Sequence, residues 1–168
     1  IRLAETPCEV PILKTAFLFS CLTGLRKSDV KPFTWEMIQP EADGTLYITD
    51  RMQKTKQIVH NPIGDEALAL IDNGKREGLV FPGFKDSMTQ TALKQWVKAA
   101  GITKHITYHS SRHTFCSLQL YAGTDVNTVK DLAGHKNIST TQQYLDSVDS
   151  RKKDAANRIT IKRKEEHP

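Results

Sequence analysis

The chain has 168 residues, of which 38% are hydrophobic and 26% are charged, so it can bury one ordinary core and is not an intrinsically disordered polymer. Lys14 and Ser20 interrupt the apolar segment from Val10 to Leu22, which argues against a membrane span. The formal net charge is +5, and residues 151–168 supply +4 of it, so the composition by itself indicates only a basic C-terminal tail, which is usually solvated.

The chain ends and the cysteines indicate the cellular compartment. The sequence begins Ile1-Arg2-Leu3, with neither an initiator Met nor a signal-peptide pattern, as expected for a cytosolic fragment or a processed piece. The three cysteines, Cys8, Cys21 and Cys116, form no CxxC pair and no disulfide framework. We expect them to be small buried hydrophobic residues.

The N-terminal third predicts one long buried helix and a short turn. Leu13 and Phe17 follow Val10 at helical spacing, and Gly24 is a suitable C-terminal stop. Residues 28–31 can form another helical turn. Three core anchors then follow: Phe33, Trp35 and Ile38.

Two short strands interrupt the helical pattern. Residues 46–49 alternate apolar and polar side chains, and residues 57–60 form a second such run ahead of Pro62. The polar residues 50–56 lie between the two runs. The sequence therefore predicts a small antiparallel hairpin in a mainly α-helical domain.

The C-terminal half predicts further helices. Residues 65–74 form one, and Ser87-x-x-Gln90 is a capping box for a helix that ends at Gly101. Residues 109–122 form the next, with Phe115, Leu118 and Tyr121 on its apolar stripe. Two more helices are predicted, the first capped by Thr124-Asp125 and ending at Gly134, the second started by the box Ser139-x-x-Gln142.

Three segments carry polar residues in patterns that suggest a shared site. Arg26 follows directly after a helix stop, where its guanidinium can point into a cleft. His109 and Arg112 are three residues apart at a helix start and can share one face. His135 follows another helix stop, and Tyr144 comes nine residues later. Each feature alone is also compatible with an exposed arginine, an ordinary helix start or a tyrosine that only fills space.

Together these segments resemble the catalytic domain of the tyrosine recombinases, the phage integrase family that includes lambda integrase and the Xer recombinases. The resemblance covers roughly residues 5–148 and rests on four ordered motifs: TGLRKSD, KTK, HSSRHTF and LAGHKNISTTQQY. The motif sequences are most similar to those of integrases of bacterial mobile elements. The resemblance implies the fold of DNA breaking-rejoining enzymes, mainly α with a small antiparallel sheet.

The resemblance also implies the site residues. The catalytic set it implies is Arg26, Lys54, His109, Arg112, His135 and Tyr144. Lys56 is the alternative to Lys54, because the two lysines flank Thr55. Asp29 resembles the acidic residue that buttresses this site, and Lys56, Lys136 and Arg51 are expected to contact DNA.

These residue types suit attack on a DNA phosphodiester. The five-coordinate phosphorus gathers negative charge on its non-bridging oxygens, and planar guanidiniums stabilise that charge with paired hydrogen bonds. The Tyr144 phenol needs a base, for which His109 is the candidate by resemblance, and His135 would hydrogen-bond the phosphate. The Lys54 ammonium can protonate the departing 5′ oxygen. Neither a metal nor another cofactor is expected.

The expected assembly follows from the family. Residues 1–149 would be the catalytic domain, and residues 150–168 a basic tail that either docks on a neighbouring protomer or stays disordered. The helical core-binding domain of the family is absent from this chain. We expect double-stranded DNA as the partner, a homo-tetramer on DNA for the full-length protein, a monomer for the fragment, no membrane, and a bacterial cytoplasmic location at the nucleoid.

Two alternatives keep DNA as the partner. A type IB topoisomerase uses a similar set of Arg, Lys, His and Tyr residues to nick and reseal DNA, and strand exchange between two duplexes would distinguish it. A non-catalytic DNA-binding fragment would be unaffected by Tyr144→Phe, whereas an enzyme would lose covalent capture.

A third alternative is a zinc hydrolase. His109 and His113 are four residues apart on a predicted helix and could bind Zn²⁺ with His135. Ser110 stands where an HExxH motif has its glutamate, so the motif is incomplete. His113 is otherwise expected to be a packing residue beside Phe115.

Overall fold

The computed structural model describes residues 2–51, 58–74 and 76–145. Within this part of the chain the fold is mainly helical, as predicted. The helices are α1 (Arg2–Glu5), α2 (Pro11–Thr23), α3 (Lys27–Val30), α4 (Asp65–Ile71), α5 (Thr91–Ala99), α6 (Ser110–Ala122), α7 (Val126–Ala133) and α8 (Ser139–Gln142). No helix in these ranges is long and apolar enough to cross a membrane.

A three-stranded antiparallel sheet accompanies the helices. Its strands are β1 (Ile38–Pro40), β2 (Leu46–Arg51) and β3 (Ile58–Pro62), with β2 in the centre. The predicted hairpin is confirmed as β2 and β3, with Ile48 opposite Asn61. The edge strand β1 was not predicted, because three residues ending in a proline show no detectable alternation.

The larger apolar cluster surrounds α2. Leu13 and Phe17 are buried as predicted, and the ring of Phe17 packs edge-on against Trp96 of α5 at a centroid distance of 5.7 Å. Inside this cluster, the hydroxyl groups of Ser20 and Tyr108 lie 3.0 Å apart. The cluster therefore fixes α2 and α5 to the loop that precedes α6.

A smaller apolar cluster lies between α6 and α7, and it corrects the predicted stripe of α6. Leu118 and Tyr121 are 51% and 57% exposed, so two of the three predicted stripe residues face solvent. Phe115, Cys116 and Leu120 are buried instead. The buried face is rotated around the helix because its centre is the polar residue Arg112, which a purely apolar pattern does not count.

The helix ends show which local signals hold. Gly24, Gly123 and Gly134 all end helices in the left-handed conformation, and Asp125 caps α7 by accepting hydrogen bonds from two backbone N–H groups. The two predicted capping boxes are wrong. Residues 86–89 form a 3₁₀ turn ahead of α5, and Ser139 is the first residue of α8 with no side-chain cap.

The cysteines are free thiols, and two of the three predicted burials are complete. Cys21 and Cys116 are buried, and Cys8 is partly exposed. Burial raises the pKa of Cys21 to about 12 and that of Cys116 to about 11. These two thiols are therefore protonated at neutral pH.

Candidate active site

The C-terminal end of α2 is packed closely against α6 at Gly24. Gly24 has a φ of 73°, and its N–H donates to the carbonyl of Ser20 at 3.0 Å. A Cβ atom at this position would lie 2.6 Å from Cδ1 of Phe115, so the contact leaves room only for glycine. The close approach brings the segment that carries Arg26 to the part of α6 that carries Arg112.

Arg112 joins the C-terminal ends of two helices. Its side chain is 1% exposed, its Nη1 donates to the carbonyl of Gly24 at 2.7 Å, and its Nη2 donates to the carbonyl of Ala133 at the end of α7. The last carbonyls of a helix have no partner within the helix and carry the negative end of its dipole, so a cation is stabilised there. These bonds use two of the five N–H donors of a guanidinium.

The charge of Arg112 is kept despite its burial. Burial lowers the pKa of Arg112 to about 10, and the neighbouring charge of Arg26 acts in the same direction, whereas the charge of Asp29 opposes the fall. A pKa of about 10 leaves the side chain protonated at neutral pH. The site therefore contains a desolvated, permanent positive charge.

Arg26 is anchored at the same end of α7. Its Nη2 donates to the carbonyl of Gly134 at 3.4 Å, and its backbone N–H donates to Oδ2 of Asp29 at 3.3 Å. Asp29 is completely buried and also accepts a hydrogen bond from Ser28 at 3.4 Å. Asp29 thus caps α3 and fixes the backbone from which the Arg26 side chain extends.

His135 follows the left-handed Gly134 directly. It is 6% exposed, and its Nδ1 lies 2.8 Å from Oγ1 of Thr141, a fully buried residue of α8. Burial, followed by the charges of Arg112 and Arg26, lowers the pKa of His135 to about 4. The imidazole is therefore neutral at pH 7 and is held by the helix that precedes Tyr144.

Tyr144 lies on the smaller apolar cluster, one turn after Thr141. It is 7% exposed, and its backbone N–H donates to the carbonyl of Thr141 at 3.1 Å. Burial raises the pKa of the Tyr144 phenol, and Cys116 raises it too, while the charge of Arg112 lowers it. The phenol is protonated at neutral pH and needs a base before it can attack.

Two histidines of α6 form a row of rings with Tyr144. The exposed residues His109 and His113 pack edge-on with their centroids 4.8 Å apart, and the centroid of His113 lies 5.3 Å from that of Tyr144. The sequence predicted a packing residue beside Phe115, and in the structure His113 is exposed and its ring packs against His109 and Tyr144. The spacing of four residues between His109 and His113 was the sequence signal that the two rings share a face of the helix.

The lysines predicted to act as the acid, Lys54 and Lys56, lie outside the described residues, as does the side chain of Arg51. Their hairpin is tied to the site, because Nδ2 of Asn61 in β3 donates to the carbonyl of Leu132 in α7 at 2.6 Å. This link between β3 and α7 was not predicted. Lys136 is exposed next to His135, and the tail 150–168 is outside the described residues.

A basic cleft of about 530 Å³ adjoins these groups. Arg26 and His109 line it, together with three side chains that the sequence did not single out: Lys27, Lys94 and His105. Lys27 shares Asp86 with Lys31, each at 3.2 Å. The remaining positive charge makes the cleft suitable for a polyanion.

The zinc alternative lacks its ligand set in the described residues. No group of three His, Cys, Asp or Glu side chains in this part of the chain is arranged to hold a metal ion.

Comparisons with known proteins identify the family. The phage integrase family matches residues 3–151. The chain belongs to the phage integrase family. The predicted family is thereby confirmed.

The curated relatives are tyrosine recombinases. Tyrosine recombinase XerC of Xanthomonas campestris pv. campestris (strain B100) is 28% identical over 158 residues, which cover 86% of this chain and 48% of that protein. A tyrosine recombinase of Pseudothermotoga lettingae is 42% identical over 67 residues, or 40% of this chain and 23% of the relative. The chain thus spans about half the length of the XerC relative.

Solved structures confirm the predicted fold. The site-specific recombinase XerH bound to palindromic difH substrate in a post-cleavage complex matches with a TM-score of 0.72 at 15% identity, over 92% of this chain and 48% of that chain. The catalytic domain of bacteriophage HP1 integrase matches with a TM-score of 0.66 at 25% identity, over 93% of this chain and 88% of that domain. The fold is that of a tyrosine recombinase catalytic domain.

Proposed function

We propose that this chain is the catalytic part of a site-specific DNA recombinase that cleaves and rejoins DNA through a 3′-phosphotyrosine intermediate, for integration or excision of DNA. The observation that carries the proposal is the anchoring of Arg112 and Arg26 on the carbonyls of Ala133 and Gly134. Two guanidiniums from distant segments meet at one helix end, beside the neutral His135. Such a pair of fixed cations matches the charge on a phosphodiester during nucleophilic attack.

The proposed cleavage step conserves the phosphodiester bond energy. The Tyr144 oxygen forms a bond to phosphorus, its proton passes to His109, and the bond from phosphorus to the 5′ oxygen breaks. Arg26 and Arg112 stabilise the charge on the non-bridging oxygens, and His135 hydrogen-bonds the same phosphate. The 5′ hydroxyl of a second strand reverses the step, so neither an oxidant nor a nucleotide cofactor is consumed.

The departing 5′ oxygen takes a proton from Lys54, with Lys56 as the competing donor. Both belong to the segment between β2 and β3, whose second strand is tied to α7 through Asn61. An ammonium is a suitable donor because it supplies the proton and a positive charge at once.

The site has to open before a phosphate can enter. Arg112, His135 and Tyr144 are 1%, 6% and 7% exposed. The basic cleft beside Arg26 is the accessible approach. We propose that double-stranded DNA lies along this cleft and that binding exposes the buried groups.

The partners and the location extend the proposal to the whole protein. The XerH structures hold a DNA substrate, and a lambda integrase structure is a dimer on a core site. By analogy, we propose a homo-tetramer on DNA for the full-length protein, with residues 1–149 as the catalytic domain and 150–168 as the docking tail. Its place would be the bacterial nucleoid.

Covalent trapping tests the proposal even though the target sequence is unknown. The probe is a pool of DNA duplexes randomised around one bridging 5′-phosphorothiolate, whose 5′-thiol product religates poorly and leaves the adduct in place. Incubated in excess chelator, the chain should become linked to the 3′-phosphate strand, and Tyr144→Phe should give no adduct. An adduct to the 5′ side, or one that survives in Tyr144→Phe, would overturn the proposal. Sequencing the trapped DNA would give the preferred site.

The same probe separates Lys54 from Lys56. A thiol leaving group has a low pKa and needs little help from an acid, whereas the 5′ oxygen of ordinary DNA does. With the trapped sequence as substrate, Lys54→Ala should lower the cleavage rate of ordinary DNA by at least about 100-fold and leave cleavage of the phosphorothiolate nearly unchanged. Lys56→Ala is the matched control. If Lys56→Ala shows this pattern instead, Lys56 is the acid.

A further inference from the structure

His113 is a residue of the site to which the proposed cleavage step gives no role. It follows Arg112 directly in α6 and lies one helical turn after His109. Positions four residues apart share a face of a helix, which explains the 4.8 Å between the centroids of the two histidine rings. His113 therefore stands between the candidate base and the rest of the site.

The ring of His113 contacts the candidate nucleophile. Its centroid lies 5.3 Å from that of Tyr144, with an angle of 60° between the ring planes. Aromatic rings at centroid distances between about 4.5 and 7 Å attract one another in edge-to-face geometry. Tyr144 is thus held on one side by the apolar cluster and on the other by an imidazole.

The electrostatics agree with this placement of His113 near the buried His135. The buried His135 senses the charges of Arg112, Arg26, His109 and His113, all of which lower its pKa. His113 is exposed and, like both arginines, acts on the buried His135. It therefore lies at the mouth of the site. His113 is thus placed where the ring of Tyr144 meets the opening of the site.

We infer that His113 is a positioning residue that fixes the ring of Tyr144, through edge-to-face contact, in the orientation needed for attack on the phosphate. The inference rests on the proposed function, since it gives Tyr144 the part of the nucleophile. The contact acts through the shape and the π-system of the ring. A displacement of about 1 Å in a reacting group costs up to about 100-fold in rate, so a single ring contact can decide the cleavage rate.

Three variants separate a ring contact from a proton-transfer role. His113→Phe keeps an aromatic ring and removes both nitrogens, His113→Gln keeps polar atoms without a ring, and His113→Ala removes both. The exposed Tyr121 on the same helix supplies a matched control, Tyr121→Ala. Because His113 is exposed, all three variants should fold, which a thermal melt checks.

The readout is the rate of phosphorothiolate trapping at saturating DNA. We expect His113→Ala and His113→Gln to lower this rate at least about tenfold, His113→Phe to stay within about threefold of the original chain, and Tyr121→Ala to change nothing. The DNA concentration for half-maximal rate should stay within about twofold in all variants. A normal rate for His113→Ala, or rescue by Gln and not by Phe, would overturn the inference.

A second measurement reads the contact without DNA. In the chain labelled with ¹³C in its tyrosine rings, the Tyr144 resonances should shift in His113→Ala and return towards their original position in His113→Phe. Unchanged resonances in His113→Ala would also overturn the inference. If the unsubstituted chain forms no adduct on any DNA of the pool while the ring resonances behave as expected, the proposed function fails and the ring contact stands.

Discussion

The two apolar clusters of the molecule differ in what holds them together. Around α2 the contacts are between hydrophobic side chains, such as Phe17 against Trp96. Between α6 and α7 the apolar residues are joined by the guanidinium of Arg112, which binds the ends of two helices. We therefore expect substitutions in the first region to change stability alone, whereas in the second the same hydrogen bonds stabilise the fold and shape the site.

The largest expected effect is a fall in the trapping rate when Arg112 is replaced. In Arg112→Lys the charge is kept, but an ammonium cannot bind Gly24 and Ala133 and still present a fork to a phosphate. We expect the trapping rate to fall by at least about 100-fold and the free energy of unfolding by about 1–3 kcal/mol. Trapping kinetics and urea denaturation measure the two effects.

Leu13→Ala is the matched change in the larger cluster. Leu13 is completely buried, so its truncation should lower the free energy of unfolding by about 2–5 kcal/mol. The trapping rate should stay unchanged at a temperature where this variant is folded. If Leu13→Ala slowed trapping as strongly as Arg112→Lys, the distinction between the two regions would be wrong.

The contact between α2 and α6 can be tested with two glycines. Gly24 and Gly123 both end helices with positive φ, but only at Gly24 would a Cβ meet another side chain, Phe115. Gly123→Ala should lower the free energy of unfolding by about 1–2 kcal/mol through backbone strain alone. Gly24→Ala should cost about 2–4 kcal/mol, because crowding adds to the strain. Equal costs in chemical denaturation would show that the close approach at Gly24 has no energetic weight.

The last expected effect is a pH dependence of stability that His135 causes. Its pKa in the folded chain, about 4, lies below the ordinary value of 6.5, so the unfolded chain binds a proton more readily. The His135 contribution is therefore complete above pH 6.5 and is lost as the pH falls towards 4. Between about pH 7.5 and 4.5 the original chain should lose about 2–3 kcal/mol more than His135→Gln.

Denaturation at these two pH values, with and without the substitution, gives the His135 contribution as a difference in which the other titrating groups cancel. His60→Gln is the control, because the exposed imidazole of His60 contacts Tyr47 and Thr49 of β2. An equal loss in the original chain and in His135→Gln would mean that His135 is not the neutral, buried group described above.

Much of the fold was predictable because the signals that end its helices and mark its strands are local in the sequence. Glycines in the left-handed conformation end α2, α6 and α7, and the alternation in β2 and β3 is visible in short runs. The buried face of α6 was mispredicted because an arginine occupies its centre. The order of residues cannot show that a charged side chain will be buried when its partners are backbone carbonyls of other helices.

The sequence predicted which residues meet at the candidate site, but it did not predict the contacts between them. Family motifs name Arg26, Arg112, His135 and Tyr144, but only the structure shows that both arginines bind the end of α7. Thr141 and Asn61 were missed because their partners, His135 and Leu132, are defined by the fold. His113 was assigned to packing because its neighbour Phe115 is apolar, although its spacing from His109 pointed to the site.

The most direct test of the account is to locate the adduct. The chain has four tyrosines, so nuclease digestion of the trapped complex followed by peptide mass spectrometry can distinguish Tyr144 from Tyr47, Tyr108 and Tyr121. We expect a nucleotide joined through its 3′-phosphate to Tyr144 alone. It should form in excess chelator and be absent in Arg112→Lys at early times. An adduct on any other residue would contradict the account, because only Tyr144 lies on the apolar cluster that Arg112 joins to the end of α7.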